Sequence, residues 1–217
     1  SVLRQPRYRE VARSTLDFMR NELLDASGGF YTSTSAVDDK GREGATYLWE
    51  PDELKRRLSP GAYAAARRVW RLDTAREFEG GYLPAEYRTP TADERRLLAD
   101  AVRVLHPLRL ARSLPRDDKL NAGLNGLALS AFSQASQLDP AYRQQADRLQ
   151  HFLLSRLVRD GRLVKGIARG QVLPHAELED YAYVVQGLLD HADATGNTQS
   201  RTRARQLAQV AWKSFWG

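Results

Sequence analysis

Two short acidic stretches carry the groups best suited to chemistry. Asp117-Asp118-Lys119 stands just ahead of Asn125, and Glu179-Asp180-Tyr181 follows much later in the chain. Carboxylates on opposite sides of a glycosidic bond act as acid and base, and their separation sets an inverting or retaining outcome. Asp118 and Asp180 are the candidate catalytic pair on that chemistry. Tyr47 and Trp49 offer flat faces for stacking on a sugar, while Lys119, Asn125, Glu179 and Tyr181 offer polar contacts. His175 adds a side chain whose ordinary titration lies near neutrality. Each residue also has a structural reading. Asp117 and Asp118 precede a helix and can cap it, and Glu179 and Asp180 suit the positive end of a helix dipole. Tyr47 and Trp49 suit a core, His175 a surface loop, and Lys119 a buried ion pair with Asp180.

Other chemistries are disfavoured by composition. The 217 residues include no cysteine, which removes disulfides, thiolate metal sites and thiol catalysis from this segment. The four histidines, His106, His151, His175 and His191, are too widely spread for a zinc cluster, and no cofactor is expected. The net charge of +6 comes mostly from arginines interleaved with acids, which speaks for solvated helix faces and against nucleic acid. No apolar run approaches the length of a membrane-spanning helix, so no membrane partner is expected. The opening Ser1-Val2-Leu3-Arg4 has neither an initiator Met nor an apolar leader stretch; it reads as a segment edge, and a cytoplasmic location is expected.

These residues need helices to position them, and the pattern is helical throughout. Residues 8–24 predict a first helix stopped by Gly28-Gly29, and residues 30–49 predict a short hairpin or long loop. Pro51 opens a helix continuing to Trp70, and 76–90 is broken by Gly and Pro. Thr91 with Glu94 is a capping-box signature, and Pro107 should kink or end the helix that follows. Further helices are predicted over 121–138, 140–158, 177–195 (closed by Gly196) and 199–216, where Leu207, Val210, Ala211 and Phe215 share a face. Residues 161–170 predict a β-hairpin or loop.

A repeat runs through this pattern. Phe18–Leu24, Asp25 and Gly29-Phe30 echo Phe152–Val158, Asp160-Gly161 and Leu163. Helix, glycine turn, extended strip and helix in succession describe an all-α array of outer and inner helical hairpins, although a plain helical bundle gives the same local signals. Inner helices are buried all round, which fits the apolar stretches 126–135 and 182–189. In such an array the loops entering inner helices gather at one end of a funnel, which would bring the candidate residues to one cleft.

Four blocks resemble the thioredoxin-domain-containing family of spermatogenesis-associated protein 20 and the bacterial YyaL-type proteins. They are Gly28-Gly29-Phe30-Tyr31 through Glu43-Gly44 to Tyr47-Leu48-Trp49; Phe78-Glu79-Gly80; Asp117-Asp118-Lys119 with Asn125-Gly126-Leu127; and Leu178-Glu179-Asp180-Tyr181-Ala182 with Gly187-Leu188-Leu189-Asp190 and Ala194-Thr195-Gly196. The resemblance implies that residues 1–217 form one incomplete (α/α) toroid-like domain or segment, from a six-hairpin toroid related in shape to glycosidases and N-acylglucosamine 2-epimerases. It implies a thioredoxin-like domain elsewhere in the polypeptide as a partner. Where the family carries an acidic stretch this chain has Thr34-Ser35-Ala36-Val37, and Leu124 replaces the aromatic usual before Asn125. The expected function is therefore binding of a carbohydrate-like small ligand. A glycosidase- or epimerase-type enzyme and a helical docking scaffold are the alternatives.

Overall fold

The computed structural model describes residues 5–35, 37–38, 41–76, 78, 80–112 and 115–216. Ala36 and Glu79, both named in the motifs above, and the opening Ser1–Arg4 lie outside these. The fold is predominantly helical, with eight α-helices and short strands among the described residues. No helix among them is long and apolar enough to cross a membrane. The chain divides into two compact units, one of residues 1–33 and 117–217, the other of residues 34–116.

The first unit contains α1 (Pro6–Phe18), α5 (Ala122–Ala135), α6 (Pro140–Phe152), α7 (Leu178–Thr195) and α8 (Thr198–Phe215). Local chemistry sets their ends. Asn121 caps α5 by accepting from the Leu124 N–H, and Asp139 caps α6 by accepting from that of Ala141. Gly196, at φ 76°, ends α7 in the left-handed conformation that glycine tolerates. The repeat seen in the sequence is real in space. Both α1 and α6 run on into a single π-helical turn, Met19–Leu23 and Leu153–Leu157. Each π turn leads to an antiparallel contact, a bridge between Leu24 and Phe30 in one case. In the other, β4 (Val158–Arg159) pairs with β5 (Arg162–Leu163). An inserted π residue turns the chain and lets it double back over the helix end.

Helices α5 and α7 are parallel neighbours at very short range. A Cβ on Gly126 would stand 2.6 Å from the Tyr183 carbonyl carbon, and one on Gly187 would stand 2.3 Å from the Gly126 oxygen. Only glycine lets the backbones approach this closely. The buried core around them includes Phe132, Leu129, Leu149, Phe152, Val184 and Leu188, with Phe30 stacked on Phe132 at 5.3 Å. The last helix buries Ser200, Ala204, Leu207 and Ala211, and Phe215 continues that face edge-on to Tyr181 at 6.0 Å, though it is partly exposed. Strands β3 (Leu120–Asn121), β6 (Gly166–Ala168) and β7 (Gln171–Leu173) form a small antiparallel sheet at the entrance to α5.

The second unit holds α2 (Pro51–Arg57), α3 (Pro60–Val69) and α4 (Ala92–Leu110). The single helix expected from Pro51 to Trp70 is two helices. Ser59 is extended, as the residue before Pro60 favours, Leu58 before it is extended too, and the Ser59 hydroxyl accepts from Ala62 to begin α3. The capping box of Thr91 and Glu94 is present, and Pro107 lies inside α4, which ends at Leu110. Of the hairpin or long loop expected over 30–49, the described residues are mostly loop with a bridge between Val37 and Glu43; β1 (Ser33–Thr34) pairs with β2 (Arg116–Asp117). Trp49, Leu54, Ala62, Val69, Trp70, Leu98 and Leu105 make this unit's core.

Candidate functional site

Asn125 and Tyr181 each occupy the fourth position of their helix, α5 and α7 respectively. Both side chains hold the chain arriving from the preceding π turn. Asn125 Oδ1 accepts from the Phe30 N–H at 2.7 Å and its Nδ2 donates to the Phe30 oxygen at 3.0 Å. The Tyr181 hydroxyl accepts from the Leu163 N–H at 3.0 Å. These two predicted ligand-binding residues are equivalent latches in the structural repeat.

Asp180 is 2% exposed. Its Oδ1 accepts from the Gly123 N–H at 3.2 Å and from Asn121 Nδ2 at 3.5 Å, and its Oδ2 accepts from the Glu177 N–H at 2.9 Å. These donors place the Asp180 carboxyl at the N-termini of both α5 and α7, where the helix dipoles favour negative charge. The Lys119–Asp180 ion pair does not form. Lys119 Nζ instead bonds the adjacent Asp117 at 3.0 Å, two residues back along the chain. The Lys119 hydrogen bond holds the Asp117 carboxyl below its ordinary value. The lysine electrostatically linked to Asp180 is Lys165, whose ammonium is raised by its hydrogen bond to Glu177 at 2.7 Å.

The remaining candidates of this unit are less committed. Asp118 is half-buried, and His175 and Glu179 are exposed. No hydrogen bond or ion pair engages Asp118 or His175 among the described residues.

Tyr47 and Trp49 belong to the second unit. Trp49 is buried, and its backbone pairs with that of Tyr82 at 3.0 and 2.9 Å. The Arg112 guanidinium lies 3.8 Å from its ring centroid and donates through Nη1 to the carbonyls of Ala45, Thr46 and Leu48, with Nη2 3.5 Å from Glu53. Burial lowers the Arg112 pKa, and Glu53 opposes that shift. Tyr47 is half-buried, with the Arg109 guanidinium 5.6 Å from its ring. Both aromatic faces therefore already have a cation against them.

Two further arrangements carried no sequence signal, because their members come from separate helices. His191 is buried between Ser200, whose Oγ is 2.9 Å from Nδ1, and Asp147, whose Oδ1 is 2.9 Å from Nε2. The residue types are those of a serine hydrolase, but Ser200 is 0% exposed and no substrate can reach it. The chain of bonds ties α6, α7 and α8 together. The second arrangement lies on the outer face of the α5–α7 pair. Asp190 Oδ2 accepts from Ser130 Oγ and, at 3.2 Å, from Gln134, while Asp190 Oδ1 accepts from Gln186 at 3.0 Å. On the same two helices Leu124, Leu127 and Tyr183 are exposed by 46%, 43% and 38%.

No family model matches the chain. Among solved structures, D-mannose isomerase aligns with 96% of this chain and 51% of its own, at 15% identity and a TM-score of 0.42. Cellobiose 2-epimerase from Bacillus thermoamylovorans aligns with 95% and 55%, at 12% identity and a TM-score of 0.42. A GH76 alpha-mannanase of Bacteroides thetaiotaomicron aligns with 97% and 72%, at 14% identity and a TM-score of 0.43. Likeness at these scores carries no argument about function. Among curated proteins, spermatogenesis-associated protein 20 of Homo sapiens is 25% identical, with 96% of this chain and 33% of that protein aligned. The Rattus norvegicus protein is 27% identical, with 96% and 32% aligned. The chain is thus similar over nearly its whole length to the spermatogenesis-associated protein 20 family, and it spans about a third of the length of those relatives.

Proposed function

We propose that the first unit is a segment of an (α/α) toroid-like array whose α5–α7 face binds a carbohydrate-like small ligand. The carrying observation is the glycine-tight, parallel α5–α7 pair, which exposes Leu124, Leu127 and Tyr183 and orders Ser130, Gln134 and Gln186 around Asp190. Sugars present apolar C–H faces and rows of hydroxyls, and a wall of apolar side chains with a few fixed polar groups suits both. The parallel α5 and α7, with α6 returning between them, support the array, and the thioredoxin-like half implied by the resemblance is the proposed partner domain. Binding is preferred over turnover because Asp180 is buried and its oxygens are engaged by Gly123, Asn121 and Glu177, which leaves a substrate oxygen no access to it for proton transfer. The exposed, stacked Trp212 and Trp216 at the end of α8 favour a second reading, a helical scaffold that docks another protein.

The test is saturation-transfer NMR of the purified chain with a panel of hexoses, N-acyl hexosamines and short oligosaccharides. Transfer to at least one sugar class is expected, with loss on Tyr183→Ala or Asp190→Ala at unchanged helicity. No transfer from any sugar sinks the proposal. Turnover that Asp118→Asn with Asp180→Asn abolishes replaces it with the enzyme reading.

A further inference from the structure

Helix α8 contains Arg201, Arg203, Arg205 and Lys213 and not one acidic residue. Arg201 is neutralised by Asp193 at 2.6 Å. Arg203 finds only the neutral Gln206 carboxamide at 3.0 Å, and Lys213 has no carboxylate partner among the described residues. Between these two cations lies an open groove of about 350 Å³. Leu207 and Val210 of α8 and Val158 and Gly161 of the β4–β5 hairpin line it, with the polar Gln206 and Gln209 beside them. That hairpin carries Arg159 directly opposite Arg162 in its register. Like charges placed across a hairpin destabilise it, and an anion nearby relieves the repulsion.

We propose that this groove docks an acidic peptide segment, with an apolar side chain seated on Leu207, Val210 and Val158 and flanking carboxylates at Arg203 and Lys213. The size agrees, because pockets that take small groups run from about 300 to 1,000 Å³. Charge complementarity selects the partner: the rim offers two cations without counter-ions, and carboxylates are their match in both charge and hydrogen bonding. The apolar part of the lining favours a peptide over nucleic acid, since a phosphate backbone has no group to seat there and stacking on aromatics is absent from the groove. The proposal gives the docking reading a partner of stated chemistry but rests on residues other than Trp212 and Trp216, which do not line the groove. It does not depend on the carbohydrate face.

The experiment is fluorescence anisotropy of the intact chain with three labelled probes: a peptide alternating Glu and Leu, its Lys-for-Glu counterpart, and a single-stranded oligonucleotide of equal charge. The acidic peptide is expected to bind, with affinity falling as salt rises. Arg203→Glu with Lys213→Glu should weaken it by about tenfold or more, since rim charges of both signs set the match. Arg205→Glu, half that charge change at a residue outside the groove's lining, and Trp212→Ala with Trp216→Ala, also outside the lining, should each weaken it clearly less. Circular dichroism checks that each variant is folded. Equal loss with Arg205→Glu, loss only with the Trp212/Trp216 variant, tighter binding of the oligonucleotide, or no peptide binding at all would each overturn the proposal.

Discussion

The Asn125 carboxamide and the Phe30 peptide group bond each other in both directions, at 2.7 and 3.0 Å, across 95 residues of sequence. Asn125 Nδ2 also donates to the Asn121 oxygen at 2.7 Å. Removing the side chain strands a buried N–H and two carbonyls. Asn125→Ala should cost about 2–4 kcal/mol, the sum of buried groups left without partners. Asn125→Asp should also destabilise, because it keeps the acceptor for Phe30 but loses the donor. Urea denaturation followed by circular dichroism checks both, and a loss below about 1 kcal/mol would remove the latch role.

The approach of α5 to α7 depends on absent side chains. Gly126→Ala or Gly187→Ala places a methyl within 2.6 or 2.3 Å of backbone atoms that cannot swing aside. A destabilisation of about 3 kcal/mol or more is expected, at the upper end of overpacking costs because the obstacle is backbone. Gly61→Ala in α3 meets only Leu97 at 3.4 Å and should instead be neutral or stabilising by about 0.5–1 kcal/mol from helix propensity. Thermal melts of the three variants compare them directly.

Glu94 supplies the acid sensitivity of the second unit. The Arg88 hydrogen bond, the Thr91 N–H and Arg68 together lower its pKa to about 2. A depressed folded pKa means the contribution is complete above the unfolded value of about 4.3 and is lost as pH falls from there toward 2. Glu94→Gln should therefore flatten the fall in stability between about pH 4.5 and 2 while lowering stability at pH 7. Denaturant midpoints across that range test the sign, and a variant with the same acid slope as the parent would contradict it.

Ser200, His191 and Asp147 should behave as a structural tie and not as a nucleophilic centre. A fluorophosphonate probe is expected to leave Ser200 unlabelled in the folded chain, because its hydroxyl has no solvent exposure. His191→Ala should destabilise by about 2–4 kcal/mol, combining a cavity with the loss of two hydrogen bonds. Covalent labelling at Ser200, read by mass spectrometry, would assign it catalysis.

Local chemistry alone determined much of this fold. Pro51, Thr91 with Glu94, Asp139-Pro140 and Gly196 start or stop helices through interactions within four residues, so their roles are visible without a structure. The apolar character of α5 and α7 and the echo between residues 18–30 and 152–163 follow equally from order along the chain. Tertiary structure decided the roles of the polar residues. Asn125, Asp180 and Tyr181 have the residue types of a ligand site, and the same donors and acceptors serve a backbone latch. Which role a side chain takes depends on what lies within about 3 Å of it, and among those neighbours are Leu163, Gly123 and Phe30, 18 to 95 residues away. Lys119 bonds Asp117 and not Asp180 for the same reason, since a long side chain takes the carboxylate in reach. The Ser200–His191–Asp147 chain and the Asp190 cluster join separate helices whose packing is set by glycines and core side chains, so no spacing in the sequence announces them.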